Sequence, residues 1–177
     1  MSKVLHAEKE GYQVLKFIGD VRLSLSPSIS SYLSRVREFE NFRGMLVDLS
    51  ETTSIDSTAL GLIAKLAIFC REAFGHTLNI ITPRDDIRRL LLSMSMQQVS
   101  IISSEFPTAK TRLEELPLEA ASEEALLKQV LEAHEILISL AAENESRFKD
   151  LVESLRKEQS DRFSPATGNG QFEKSLA

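Results

Sequence analysis

The 177-residue chain has no tryptophan and a single cysteine, and its aromatic residues make up only 6%. So few aromatic side chains leave a core to be built from Leu, Ile, Val and Ala, whose burial drives folding. Cys70 has no partner for an internal disulfide and stands in an apolar run, so it reads as a buried core thiol. The longest strongly apolar stretch, residues 59–70, is interrupted by Lys65. It falls short of the roughly 20 residues that span a bilayer. The opening MSKVLHAEKE lacks the basic-then-apolar layout of a secretory signal. These absences predict a cytoplasmic protein with no membrane partner. Positive charge is scarce too: 21 Lys+Arg stand against 26 Asp+Glu, with no basic stripe to neutralise phosphates, which argues against nucleic acid. His6, His76 and His134 are scattered without metal-ligand spacing, and neither a nucleophile elbow nor a phosphate loop occurs. The expectation is a protein that is not an enzyme, takes no cofactor or metal, and works by binding.

What is present is a soluble-globular composition, 42% apolar, in a chain long enough for one domain and an appendage. Residues 4–6 and 12–18 read as short strands joined by a polar turn with Gly11. Pro27 opens a helix whose apolar face is Ile29, Tyr32, Leu33, Val36 and Phe39. Residues 45–49 fit a buried strand and 50–54 a polar loop. A helix over about 58–74 follows, closed by Gly75. Then come a strand at 78–81, a helix after Pro83 with Asp85 and Asp86 in its first turn, and a strand at 99–102. This alternation predicts an α/β layer, a four- to five-stranded mixed sheet with helices packed on it and its later strands parallel. Residues 106–121 read as a linker, 122–158 as one long helix, and 159–177 as a disordered tail. In the long helix Leu127, His134, Ala141, Phe148 and Leu155 recur every seven residues, with Val130, Leu137, Asn144 and Leu151 three positions later. This a/d seam fits a helix packed on its own domain and a coiled-coil homodimer equally well. The segment is acidic, with 9 Asp+Glu against 5 Lys+Arg.

The most informative stretch is "LVDLS" at 46–50 followed by "IDSTALG" at 55–61. A buried strand leads into a helix that begins with Asp, Ser and Thr. Simple capping accounts for these residue types, since Asp56 or Ser57 can accept bonds from the free N–H groups of the first turn. A hydroxyl at a helix N-terminus is also a favourable place for a phosphate, because the dipole and the free N–H groups stabilise negative charge. The helix beyond is apolar almost all round, so part of it is core and part is available to a partner.

The run "MLVDLSETTSIDSTALGLIAKLAIFCREAFG" closely resembles the STAS domain of bacterial anti-sigma factor antagonists, with Ala59 where Gly is commoner. The resemblance extends more loosely over residues 1–105, through Phe17, Ile18, Gly19, Asp20 and Val21 and the later segments at 78–81 and 87–91. It implies the STAS fold over 1–105 with residues 122–158 as a C-terminal helical extension. It also implies that Ser57 is phosphorylated by a partner serine kinase, often the anti-sigma factor itself, and dephosphorylated by a PP2C-type phosphatase. The unphosphorylated form would bind the anti-sigma factor and free a sigma factor, regulating transcription. By position, Asp56 is the acidic neighbour, Thr58 a secondary site, and Gly61 the residue that lets the helix pack closely. Ala59, Leu60 and Asp20 complete the surface. Arg22 departs from the acidic residue often found in its loop, and no Gly follows the later helix near Met96. The same resemblance admits a docking subunit of a lipid-transport ATPase or of another signalling complex, without a phospho-switch. The 122–158 helix reads as an oligomerisation arm or as the site of a second signalling partner.

Overall fold

A computed structural model describes residues 1–105 and 112–163. Two N-terminal strands, β1 (Lys3–Lys9) and β2 (Tyr12–Val21), pair antiparallel through a two-residue turn. Glu10 and Gly11 both have positive φ, 54° and 85°, the turn geometry whose twist matches that of paired strands. Gly11 is required there, because a Cβ would strike the carbonyl of Asn41. Helix α1 (Ser26–Val36) has Pro27 in its first turn, where the missing N–H costs nothing, and returns the chain to β3 (Gly44–Ile55). Helix α2 (Ser57–Phe74), β4 (Leu78–Ile81), α3 (Asp85–Ser93) and β5 (Ser100–Ser103) follow. Strands β2, β3, β4 and β5 pair parallel, the last three each reached through a helix.

The molecule is thus α/β with a mixed sheet, but among the described residues the sheet has six strands rather than four or five. The sixth, β6 (Glu114–Glu115), comes from the segment expected to be a linker and pairs antiparallel with β1, giving the order β5-β4-β3-β2-β1-β6. Leu116 is buried beside it, and its N–H donates to the Val4 carbonyl. Residues 106–111 of that segment lie outside the described residues.

Residues 50–54, expected as a loop, continue β3 instead. The polar run alternates like a strand, with Thr52 buried and Thr53 exposed, and two irregularities in the β2–β3 register absorb the extra length. Buried Gln13, Leu15 and Phe17 alternate with half-buried Val14, Lys16 and Ile18, so one face of β2 packs tightly and the other is partly open. On that second face Lys16 pairs with Glu51 at 2.6 Å and Asp48 at 3.5 Å.

The single helix expected over 122–158 is two: α4 (Glu123–Leu140) and α5 (Ala142–Phe163). Ala141 between them is extended, at φ −163° and ψ 151°. The helices fold back antiparallel, as the pairs Arg156–Glu135 and Arg162–Glu123 require. Neither Gly nor Pro makes this break. Asn144 holds it, donating from Nδ2 to the carbonyls of Leu137 (2.7 Å) and Met94 (2.9 Å), so that a carbonyl orphaned at the end of α4 has a donor. Of the tail expected from 159, residues 159–163 belong to α5 and 164–177 lie outside the described residues.

Helix α4 packs across α2 and reaches α1, where Ser26 Oγ donates to Gln129 Oε1 at 2.6 Å. Leu131 and Leu137 of α4 are buried, and each such side chain stabilises by about 1.5–3 kcal/mol relative to exposure. The partly exposed Lys65–Glu132 ion pair between α2 and α4, at 2.7 Å, adds at most about 1 kcal/mol. Apolar burial therefore holds the hairpin down, and the ion pair orients it.

Candidate functional site

Strand β3 ends at Ile55, and one residue later α2 begins. Asp56 fills the N-cap with extended backbone and uses both carboxylate oxygens: Oδ1 accepts from Ala59 N at 2.8 Å and Oδ2 from Leu23 N at 2.9 Å. One side chain thereby caps α2 and pins the 3-10 turn Leu23–Leu25 that follows β2. The backbone N–H of Asp56 also donates to the Val21 carbonyl, which closes the junction.

Beside it, at the ends of β2 and β3, Asp20 accepts hydrogen bonds from Thr53 Oγ1 (2.7 Å) and Ser54 Oγ (2.8 Å). These two hydroxyls, with a smaller contribution from Arg22, hold its carboxyl below the usual carboxylate range. Asp20 and Arg22 are both exposed.

Ser57 is the first residue of the 18-residue α2, half-buried, with the positive end of the helix dipole beneath it. Its Oγ lies 2.8 Å from Nε2 of His134 on α4. The other ring nitrogen, Nδ1, is 2.7 Å from the Val130 carbonyl and must donate to it. For a neutral ring that leaves a lone pair on Nε2, so the Ser57 hydroxyl donates to His134. The ring is 2% exposed and packs edge-on against Phe148 of α5, with centroids 5.0 Å apart. A serine bonded to an imidazole is the first half of a nucleophilic pair. Here, however, the orienting partner is a carbonyl of the same helix rather than a carboxylate, and α4 covers Oγ on that side.

Of the residues read from the sequence, Asp20, Arg22, Asp56 and Ser57 gather at one end of the sheet. Thr58, Ala59, Leu60 and Gly61 are adjacent on α2 but buried, Ala59 and Leu60 at 1% exposure. Over Gly61 the cover is α4: a Cβ there would run into the backbone of Ala133, so the two helices meet almost backbone to backbone. His134, placed by the seam pattern on the inner face of a helix, is the site residue that sequence reasoning did not bring to Ser57. The two are 77 positions apart, and no local spacing signals the contact.

Among the described residues, no group of three or more His, Cys, Asp or Glu side chains could hold a metal ion. No described helix is long and apolar enough to cross a membrane. No protein-family model matches the chain, and no curated protein matches it closely enough to count as a relative.

Proposed function

We propose that this chain is a STAS-type anti-sigma factor antagonist, a protein-binding switch thrown by phosphorylation of Ser57. A partner serine kinase, the anti-sigma factor or an enzyme coupled to it, transfers the γ-phosphoryl group of ATP to Oγ, releasing ADP and the hydroxyl proton. A PP2C-type phosphatase restores the serine. The unphosphorylated protein binds the anti-sigma factor, frees a sigma factor and so changes transcription, in the cytoplasm. The six-stranded mixed sheet, with strand–helix crossovers from β2 to β5, is compatible with the STAS fold that the resemblance implies.

One observation carries the reading: Ser57 is the first residue of a long helix just past the end of the central strand β3, directly after the N-cap Asp56. A phosphate there meets the favourable end of the helix dipole and so leaves α2 intact. It adds about two negative charges to a surface that already carries Asp20, which changes what a partner meets.

A second reading has its own observation. The Ser57 hydroxyl is already satisfied by His134, as a residue with a purely packing role would be. In that reading the domain is a constitutive docking subunit, for example of a lipid-transport ATPase. Phosphopeptide mass spectrometry of the protein from its native cells, beside a Ser57→Ala variant, separates the two. A phosphate mapped to Ser57 and absent from the variant supports the switch. An unmodified Ser57 across growth states, with a transport ATPase recovered in a pull-down, overturns it.

A further inference from the structure

The residues that a partner would have to touch are covered by the chain itself. Helix α4 lies on α2 at three successive points: His134 on Ser57, the backbone of Ala133 on Gly61, and Glu132 on Lys65. We propose that the α2 face starting at Ser57 is an interaction surface held, in this state, by the α4–α5 hairpin, so that a partner protein gains Ser57 only by taking the place of α4. The inference rests on the reading of Ser57 as the switch residue and adds the device that guards it.

The way α4 sits states what the replacing partner must present. It needs a helix with a small residue where Ala133 stands, because Gly61 leaves no space between the backbones. One helical position away it needs a carboxylate for Lys65, which is only half-buried and holds its ion pair at 2.7 Å. Opposite Ser57 it needs a hydrogen-bond acceptor, the part played by Nε2 of His134. An acidic, small-residue helix of a regulatory protein fits these three conditions.

The same geometry couples phosphorylation to the hairpin. Oγ at 2.8 Å from Nε2 leaves no room for a phosphoryl group between the two atoms. The ester oxygen carries no proton, so the hydrogen bond that Oγ donates to Nε2 is lost. A phosphoryl group fits only if the two atoms move apart, and α4 is expected to lift off.

The test needs no kinase. In the full chain, Ser57→Cys is labelled with a maleimide, the unsubstituted protein giving the background from buried Cys70. Under the proposal the introduced thiol reacts at least about tenfold more slowly than free cysteine. Adding Gly61→Ala, which expels α4 while Ala favours the helical state of α2, restores a rate near that of free cysteine. Leu137→Ala, which loosens the hairpin from its own side, gives an intermediate rate and guards against misfolding of the double variant. Labelling of Ser57→Cys at the free rate without the second change would overturn the proposal.

A full chain carrying genetically encoded phosphoserine at 57 is then compared by hydrogen exchange. Expected is a rise of at least about tenfold across 123–140 with β3 and β4 unchanged, and a smaller rise for Ser57→Ala, which leaves the buried Nε2 of His134 unpaired but adds no bulk. Unchanged or slower exchange across 123–140 would mean that α4 stays in place over the phosphate, and would refute the coupling. Light scattering of the released form must show a monomer. A dimer would make a second copy the occupant and overturn the assignment to a partner protein. Neither labelling nor exchange depends on whether Ser57 is phosphorylated in cells, so failure here is distinct from failure of the proposed function.

Discussion

Replacing Asp56 by Ala should be the most damaging single change at the site surface, and the structure says by how much. Two backbone donors are lost at once, Ala59 N and Leu23 N, at 2.8 and 2.9 Å. Loss of an N-cap carboxylate costs about 1 kcal/mol, with a range of roughly 0.5–2. The second donor lies in a part-buried turn and, left unpaired, costs about 1–3 kcal/mol. Allowing water to reach one of the two, the sum is about 2–4 kcal/mol, a large fraction of the roughly 5–15 kcal/mol that holds a domain folded. At about 2–4 °C per kcal/mol for a chain of this size, the melting temperature should fall by roughly 5–15 °C. Asp56→Asn separates the two bonds, because an amide offers one acceptor oxygen and turns a donor toward the other N–H. Its loss should fall between wild type and Asp56→Ala. Circular dichroism melts of the three proteins at one pH are the assay. Equal melting temperatures for wild type and Asp56→Ala would refute the double-anchor argument. Equal losses for Asn and Ala would show that only one of the two bonds matters.

Three further outcomes follow from the same geometry. Asn144→Ala leaves the Met94 and Leu137 carbonyls without their donor, while also removing Oδ1, a buried oxygen that has no partner of its own. These effects partly offset, so the net loss should be about 1–3 kcal/mol in a urea titration, and no change in the midpoint would sink the account of the helix break. Burial pushes the Cys70 thiol up to about 12, so at pH 8 the native protein should react with Ellman's reagent only as fast as it unfolds. Prompt reaction of the folded protein would contradict that burial. Asp20 should titrate below an ordinary carboxylate by carbon-13 NMR. Because its folded pKa is depressed, whatever stability it contributes is present at neutral pH and is lost as pH falls through that lowered pKa. Thr53→Val with Ser54→Ala should move the titration back up, and an unmoved pKa would rule out the hydroxyls as the cause.

Local chemistry wrote much of the fold plainly. Apolar runs separated by helical periods gave away the parallel strands, and the Asp, Ser and Thr before an apolar stretch marked the start of α2. Elements went unread where the deciding partner is remote. Residues 50–54 look like a loop by polarity, yet they form strand because β2 runs alongside and the buried Thr52 hydroxyl donates to the Phe17 carbonyl. The pair Glu114–Glu115 carries no strand signal at all; it pairs because β1 offers a free edge. The Ser57–His134 contact joins two helices with a segment of the chain between them that no spacing rule bridges.

The seam pattern of 122–158 shows why such information is partly present all the same. Read as a coiled coil, its heptads are weakest at His134, Ala141 and Asn144, and those are the three positions with a specific task. Ala141 is where the helix stops, Asn144 holds the stop through carbonyls of α4 and of Met94, and His134 meets Ser57. In a parallel two-stranded coil a buried Asn at a core position would face its counterpart across the seam and set the register. Here its amide points into the same chain, 50 positions back in sequence, which a straight helix could not allow. A polar residue interrupting a regular apolar repeat marks a place where regularity yields to a particular partner. In this chain the three interruptions mark where the helix breaks and where it meets α2.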